Sequence, residues 1–278
     1  MKGERRFFRR LLTLHLPLLL VLAFALGPYV WSILTAITPE NERDLKGVSY
    51  FPDHPTLVNF QRLFGAINFL SNMRDSFIVS ASTMIVGIGI TVTAAYAFSR
   101  FRFRLRGVLL VQFLAINMFP VVLLLIPLFM IARVTGLMDR YAVLVIAYST
   151  FTIPFSVWMM TGFFNAIPRE LDEAAVIDGC TRFSAMWRVI IPVARPGIAA
   201  TAIYVFITAW NEFLYAVMLT SRHVRTIPVA LQNMIGEYKI EWGLLNAGGV
   251  VSALPVLVLF FFVQRQLIRG MTAGAVKG

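Results

Sequence analysis

Residues 141–164 read YAVLVIAYSTFTIPFSVWMMTGFF and contain no Lys, Arg, Asp or Glu. About 20 predominantly apolar residues allow an α-helix to cross the hydrocarbon core of a bilayer, which is ~30 Å thick. This stretch therefore predicts a transmembrane helix. Comparable stretches, in which Glu212 is the only charged residue, cover residues 11–37, 76–99, 107–132, 197–221 and 242–263. Together they predict an all-α integral membrane protein whose residues 1–278 form a single domain with six spans.

The amino-acid composition excludes a soluble globular protein. Hydrophobic residues make up 58% of the chain and charged residues 14%, whereas about a quarter of the residues in a soluble domain carry charge. The net charge of +11 comes mostly from Arg residues beside apolar stretches. There they anchor a membrane protein, so we expect no nucleic-acid partner. Cys180 is the single cysteine, which excludes an internal disulfide.

The distribution of Lys and Arg predicts the orientation of the spans. Positive charge is concentrated in residues 2–10 and in the turn at 100–106, and such an excess marks the cytoplasmic side. The first apolar stretch is too long for a signal peptide and lacks a small-residue cleavage site, so we expect it to be retained. We therefore expect cytoplasmic termini, outer loops at residues 38–75 and 222–241, and a cytoplasmic loop at 165–196.

That cytoplasmic loop has the pattern of two helices joined by a glycine turn. The first helix, 171–177, would end at Gly179, which can adopt a left-handed backbone. A second helix would begin near Thr181 and end at Pro192, with one apolar stripe along it. The members of this stripe are Phe183, Met186, Trp187 and Ile190. Such a hairpin either packs on its own transmembrane bundle or docks a cytoplasmic partner.

Several motifs carry a resemblance to a known family. Glu173-Ala174-Ala175, Gly179 and the run VIIP at 189–192 have the spacing of the EAA loop of binding-protein-dependent ABC importer permeases, with Val189 and Ile191 replacing the usual Ile and Leu. Residues 55–64, the sequence AWNEF at 209–213 and the ending at 270–278 resemble the carbohydrate branch. The chain is thus similar, over essentially its whole length, to the smaller permease subunits of maltose/maltodextrin transporters.

The resemblance implies a six-helix type I ABC importer permease in the cytoplasmic (inner) membrane, importing maltose, maltodextrin or a related di- or oligosaccharide. It implies as partners a second homologous permease, two ATPase subunits and an extracytoplasmic sugar-binding protein. The chain has no G-x-x-x-x-G-K-[ST] loop, so ATP and Mg²⁺ would be bound by the ATPases, and we expect neither enzyme activity nor a cofactor here. The ATPase-coupling residues that it implies are Glu173, Ala174, Ala175, Asp178, Gly179, Phe183, Trp187 and Pro192.

Two other classes compete with this interpretation. A secondary transporter or channel would work without an ATPase, but Glu212 alone cannot form the carboxylate relay that many such proteins use. A membrane enzyme would need clustered acid–base or metal-ligating side chains, whereas His15, His54 and His223 lie far apart on different segments. We expect no metal site.

Candidate residues of a solute path lie in the spans. Glu212 would avoid lipid, because a carboxylate in hydrocarbon costs a few kcal/mol. It would either gate or line the path or hydrogen-bond a neighbouring helix. Other side chains that could contact a sugar are Tyr148, Tyr204, Thr208, Asn211 and Tyr215.

The outer loops and the carboxyl terminus give further candidates. By resemblance, Gln232, Asn233 and Tyr238 contact the binding protein, although the loop could equally be an ordinary surface loop. The tail 272–278 either reaches the ATPases, as the resemblance implies, or is disordered. Residues 57–67 predict an amphipathic helix on the outer membrane surface, with Leu57, Phe60, Phe64 and Ile67 on its apolar face.

Overall fold

The computed structural model describes residues 11–46, 51–236 and 240–275, and for 11–12, 44–46 and 265–275 it describes the backbone alone. This part of the chain is helical and contains no strand beyond an isolated bridge between Ile235 and Ile240. A π-helical turn (Leu11–His15) precedes the first helix. The helices are α1 (Leu16–Ala36), α2 (Glu40–Lys46), α3 (Val58–Gly65), α4 (Phe69–Arg100), α5 (Arg106–Met118), α6 (Val121–Val134), α7 (Tyr141–Asn165), α8 (Glu170–Ile177), α9 (Arg182–Val193), α10 (Arg195–Trp210), α11 (Leu214–Leu219), α12 (Ile227–Gln232) and α13 (Trp242–Ala275).

Four helical segments of the described chain are long and apolar enough to cross a membrane: Thr13–Ala36, Phe69–Arg100, Tyr141–Asn165 and Trp242–Gln264. They coincide with four of the six predicted spans. Two further pairs of helices pass the same test only when each pair is taken together, α5 with α6 and α9 with α10. The structure therefore contains four to six candidate spans.

The third predicted span, 107–132, is wrong as a single continuous helix. α5 and α6 meet at an angle of 93°. Phe119 is extended (φ −71°, ψ 136°) and precedes Pro120, which is the cap residue of α6. Proline disfavours the helical conformation in the residue before it and has no backbone N–H to continue the helix, so the chain turns here.

The fifth predicted span, 197–221, is also interrupted. α10 ends at Trp210, the residues 211–213 are not helical, and α11 begins at Leu214. α10 itself makes an angle of 81° with α9. Hydropathy detected the apolar composition of these segments but not their breaks.

One compact unit comprises Met1–Leu70 and Leu231–Leu254. Its polar anchor is Asn59 of α3, whose buried amide donates to the carbonyls of Ala36 (2.9 Å) and Thr38 (3.0 Å). The predicted amphipathic helix is present as α3, but the buried positions within it are Asn59 and Leu63. Leu57 and Phe64, predicted on the apolar face, are exposed.

The other compact unit comprises Ser71–Ala230 and Pro255–Gly278. α7 runs through it and contributes to both of its hydrophobic clusters. One cluster includes Leu144 and Tyr148 with residues of α11, and the other includes Met160 and Phe164 with residues of α4 and α9. α10 approaches α7 closely at Gly197, where an added Cβ would lie 2.5 Å from the Phe163 ring.

Candidate functional site

The predicted hairpin is present, and its glycine turn closes as a Schellman motif. Gly179 has φ +86°, its N–H donates to the Val176 carbonyl (3.0 Å), and the Cys180 N–H donates to the Ala175 carbonyl (2.9 Å). These two bonds satisfy the last carbonyls of α8 and require a left-handed residue between them. The prediction that the first helix ends at Gly179 is confirmed.

The second helix begins as predicted but continues further. The Thr181 hydroxyl accepts a hydrogen bond from the Ser184 N–H (3.2 Å) and caps the start of α9. Pro192 was predicted to end this helix and does not, because α9 runs through Val193. Pro192 lies in the first turn of a new α-helical segment, where its missing N–H costs little.

The predicted single apolar stripe of α9 is divided between two faces. Residues Met186–Ile190 form a π-helical stretch, and the wider turn changes the angular spacing of the side chains. Met186 and Ile190 are buried in the cluster with α4 and α7. Phe183 and Trp187 are 66% and 52% exposed and form an edge-to-face pair with ring centroids 6.2 Å apart.

The hairpin presents a mixed apolar and acidic surface, which we call the docking face. Its apolar members are exposed, above all Ile177, which is 85% exposed. Acidic side chains lie among them, so this surface is not a lipid-facing one. The docking face consists of Glu173, Ala174, Val176, Ile177, Asp178, Phe183 and Trp187, all of which are exposed. An apolar surface of this kind on a charged hairpin is typical of a protein–protein contact.

Behind the docking face, polar contacts connect the hairpin to α4. The Tyr96 hydroxyl donates to Asp172 Oδ1 (2.9 Å), and Arg100 Nε lies 2.8 Å from Asp172 Oδ2. Arg100 also donates to the carbonyls of Phe164 (3.0 Å) and Ile167 (3.1 Å) at the end of α7. Asp172 is adjacent to Glu173 in sequence, and the resemblance drew attention only to the latter.

Glu212 lies at the break between α10 and α11. Its carboxylate accepts hydrogen bonds from the N–H groups of Tyr215 (3.0 Å) and Ala216 (3.2 Å), so it caps the start of α11. A carboxylate at this position satisfies free N–H groups and complements the helix dipole. The buried Tyr148 hydroxyl lies near this carboxylate but outside hydrogen-bond geometry.

The structure brings only some of the path candidates together. Tyr148 and Tyr215 are completely buried near Glu212, and the Tyr215 hydroxyl donates to the Val121 carbonyl (2.9 Å). Tyr204 packs against Phe155, with ring centroids 4.8 Å apart. Thr208 is half-buried on the next turn of α10. Asn211 is exposed, and its side-chain amide donates to the carbonyl of Ile207 in the preceding helix α10.

The remaining candidates lie on the 222–241 loop and the tail. Gln232 ends α12, Asn233 follows it, and both are exposed. Tyr238 and residues 276–278 of the predicted tail lie outside the described residues. Within the described ranges, no group of three or more His, Cys, Asp or Glu side chains could hold a metal ion.

Sequence reasoning missed two carboxylates that bind the backbone of residues 221–225. Asp139 accepts from the N–H groups of four consecutive residues, 221–224, at 2.9–3.2 Å, and from the Ser221 hydroxyl. Asp75 accepts from the Arg225 N–H (3.2 Å) and the Tyr141 hydroxyl (2.8 Å). Each carboxylate is more than 80 residues from the backbone that it binds, so no local pattern could reveal the contact.

The helical fold and its apolar spans define a multi-pass membrane protein with an exposed hairpin. Residues 85–273 match the family model "Binding-protein-dependent transport system inner membrane component". The chain belongs to this family and is a multi-pass protein of the inner membrane. The predicted family is confirmed.

Similar proteins of known name are sugar transport permeases. The chain is 36% identical to the sulfoquinovosyl glycerol transport system permease protein SmoH of Agrobacterium fabrum (93% of this chain, 91% of that protein). It is also 36% identical to the trehalose permease protein SugB of Mycobacterium tuberculosis (93% and 95%). The trehalose/maltose permease protein MalG of Thermococcus litoralis is 31% identical (94% of each). The chain is therefore a sugar ABC transporter permease.

The solved structures show the same fold. A chain of a bacterial ABC transporter that imports the acidic polysaccharide alginate superposes with a TM-score of 0.76 at 22% identity, covering 95% of this chain and 98% of that one. A chain of an alginate transporter in complex with a pentasaccharide-bound periplasmic protein gives a TM-score of 0.68 at 16% identity. At these identities the likeness concerns the fold alone.

Proposed function

We propose that this chain is one permease subunit of an ATP-driven importer that moves maltose, maltodextrin or a related di- or oligosaccharide into the cytoplasm. The observation that carries the proposal is the docking face, an exposed apolar and acidic surface on an ordered hairpin. The sequence has no phosphate-binding loop for ATP, so in an ATP-driven importer another subunit would supply the energy, and this surface is suited to receive one.

The proposed partner at the docking face is an ATPase subunit. Ile177, Phe183 and Trp187 would enter an apolar groove on it, and Glu173 would meet a basic side chain. Exposed aromatic and aliphatic anchors of this kind carry most of the binding energy in protein interfaces. The hairpin continues without an irregular linker into α10. A displacement of the ATPase would therefore move the hairpin as a rigid body and α10 with it.

The proposed topology has six spans and both termini in the cytoplasm. The bent pair α5 and α6 would then form the third span and α10 with α11 the fifth, while α9 stays in the cytoplasmic hairpin. The basic turn at 100–106 and the hairpin would lie on the same side, as the distribution of Arg favours. A second permease would complete the path, two ATPases would bind ATP and Mg²⁺, and an extracytoplasmic protein would deliver the sugar to the 222–241 loop.

The proposed substrate class rests on the relatives. The names of the similar permeases specify trehalose, trehalose/maltose and sulfoquinovosyl glycerol. The common element is a sugar with a polar glycosidic or glyceryl substituent, which favours a di- or oligosaccharide over an amino acid or an inorganic ion. Uptake assays with the cognate binding protein, offering maltose, trehalose, an amino acid and phosphate, test this. Transport of the last two without sugar uptake would contradict the proposal.

The docking proposal is tested with Glu173→Lys in the assembled transporter. Charge reversal in the docking face should release the ATPase subunits, since losing an interface anchor costs roughly 2 kcal/mol or more. The measurements are co-purification of the ATPases, ATP hydrolysis and sugar uptake. Glu173→Gln serves as a milder matched variant, and its ATPase retention and sugar uptake should lie between those of wild type and Glu173→Lys. Normal ATPase retention and uptake in Glu173→Lys would mean that the partner docks elsewhere.

A further inference from the structure

Arg100 occupies a junction of three segments. It is the last residue of α4, its guanidinium donates to two carbonyls at the end of α7, and it pairs with Asp172 of α8. The side chains of Arg100 and Asp172 are only 8% and 16% exposed. A buried charge requires compensation by an opposite charge and hydrogen bonds. Arg100 and Asp172 supply each other's opposite charge across 2.8 Å, outside hydrogen-bond geometry, and their hydrogen bonds are made with the Phe164 and Ile167 carbonyls and with Tyr96.

Two neighbours complete the junction. The Tyr96 hydroxyl, one turn before Arg100, donates to the second oxygen of Asp172. In the reverse direction, Arg169 at the start of α8 donates to the Ser99 carbonyl (3.1 Å), the penultimate residue of α4. The ends of α4 and α8 are thus joined by side chains from both sides.

The junction consists of polar side-chain contacts and lies beside a cavity. A cavity of about 360 Å³ adjoins it, lined in part by Phe101, Glu173 and Ile177. α8 therefore does not rest on α4 through a continuous apolar seam, and the described contacts between them are made through Asp172 and Arg169. Asp172 lines the same cavity as Glu173 and Ile177 of the docking face, but its side chain is mostly buried against Tyr96 and Arg100.

We propose that Arg100 and Asp172 form a positioning pair that transmits the displacement of the hairpin into α4, with Tyr96 holding the Asp172 carboxylate in place. The inference rests on the proposed docking of an ATPase at the hairpin. α9 already continues into α10 through the backbone, whereas α4 has no covalent link to the hairpin. With the pair intact, α4, α7 and the hairpin move as one body. Without it, the remaining contacts, which include Arg169 and the buried Met186 and Ile190 of α9, couple α4 to the hairpin less tightly, so α4 follows the hairpin incompletely.

The test uses the complete transporter with its partner permease, ATPases and binding protein in proteoliposomes. The variants are Arg100→Gln, Asp172→Asn and the double variant, with Arg104→Gln as the matched control, because Arg104 is exposed on the adjacent turn. The readout is the amount of sugar taken up per ATP hydrolysed, together with ATPase retention. Each single variant should keep its ATPases and lower this ratio by roughly fivefold or more, the lower end of typical coupling effects.

The double variant should be no worse than either single variant, because the two residues act through one contact. Arg104→Gln should behave as wild type, and Arg100→Lys should recover part of the ratio. If Arg100→Gln does not reach the membrane, Asp172→Asn and Tyr96→Phe test the proposal, since both preserve side-chain shape. We expect Tyr96→Phe to lower the uptake per ATP hydrolysed less than Asp172→Asn does.

A wild-type ratio in Asp172→Asn, or effects that simply multiply in the double variant, would overturn the positioning pair. Failure of the docking proposal is recognised separately, because it requires Glu173→Lys to retain its ATPases and its uptake. A normal ratio in Asp172→Asn together with ATPase loss in Glu173→Lys would leave the docking face intact as a proposal and remove the pair.

Discussion

The two ends of α7 are fastened in different ways. At its carboxyl end, Asp172 of the hairpin pairs with the side chains of Arg100 and Tyr96, and Arg100 and Arg169 donate to single backbone carbonyls. At its amino end, the 221–225 segment is held by carboxylates that bind consecutive backbone N–H groups, chiefly through Asp139. A side-chain pair can move or exchange partners without disturbing the backbone. A carboxylate that binds four backbone N–H groups fixes the backbone itself, so we infer a mobile hairpin end and a rigid loop end.

The largest expected effect comes from Gly179→Val at the mobile end. A β-branched residue resists the left-handed backbone by about 1–2 kcal/mol or more, and a shift of this size in the hairpin equilibrium corresponds to about tenfold in a coupled process. Sugar uptake by the reconstituted transporter should fall accordingly.

The control for this variant is Gly179→Asn, because Asn tolerates the left-handed region. An added Cβ meets no atom within 4 Å, so the two variants differ in backbone preference and not in steric clash at Cβ. Equal uptake in the Val and Asn variants would show that the turn geometry is irrelevant.

At the rigid end, Asp139→Ala should lower stability without a specific effect on coupling. Removing the carboxylate leaves the N–H groups of residues 221–224 without their acceptor, and losing hydrogen bonds to a charged group costs roughly 2–3 kcal/mol. Thermal unfolding of the detergent-solubilised protein measures the loss. Asp139→Asn keeps one acceptor oxygen and should fall between wild type and Ala. A melting temperature of Asp139→Ala equal to wild type would contradict the inferred rigidity.

Acid should weaken the same contact. Burial alone would raise the pKa of Asp139, but the backbone hydrogen bonds from residues 221–224 outweigh it, and the pKa lies well below its usual value of 3.8. A depressed pKa means that the stabilisation is fully present above pH 3.8 and is lost as pH falls further. The stability difference between wild type and Asp139→Asn should therefore be constant from pH 7 to about 4 and shrink below it. A stability difference that grows as the pH falls would contradict a depressed pKa of Asp139.

The smallest effect should come from Arg62→Gln in the other unit. Arg62 and Glu241 form an ion pair at 2.9 Å, but both side chains are substantially exposed. Exposed pairs contribute about 0–1 kcal/mol, so thermal stability should barely change, and the change should vanish in high salt. A loss comparable to that of Asp139→Ala would show that side-chain pairs and backbone contacts are not as different here as proposed.

Sequence reasoning recovered features that depend on local composition or on one special residue. The uncharged stretch 141–164 became α7, and Gly179 ends α8, because length in a bilayer and a left-handed backbone each impose a direct local requirement. The break at Phe119 was missed since hydropathy averages over a window. It could have been suspected from Pro120.

Contacts between distant parts of the chain could not be read from the sequence. Asp139 and Asp172 look like ordinary acidic residues outside the spans, and their roles appear only when residues 221–224 or Arg100 are brought beside them. For Glu212, the sequence could not distinguish a role in the solute path from a hydrogen bond to a neighbouring helix, because the relevant helix end was also hidden. A capping role requires a helix start at Leu214, and continuous hydropathy hid that start.

The π-helical stretch Met186–Ile190 determines in which direction the side chains of the preceding residues point relative to those that follow it. It holds one more residue than an α-helix would use to span the same turn. Deleting a single residue there would restore α-helical spacing and rotate everything on its amino-terminal side by about 100°. Phe183 would then point away from its present direction while Ile190 stayed in the core. The number of residues in this turn therefore determines the angle between exposed Phe183 and buried Ile190.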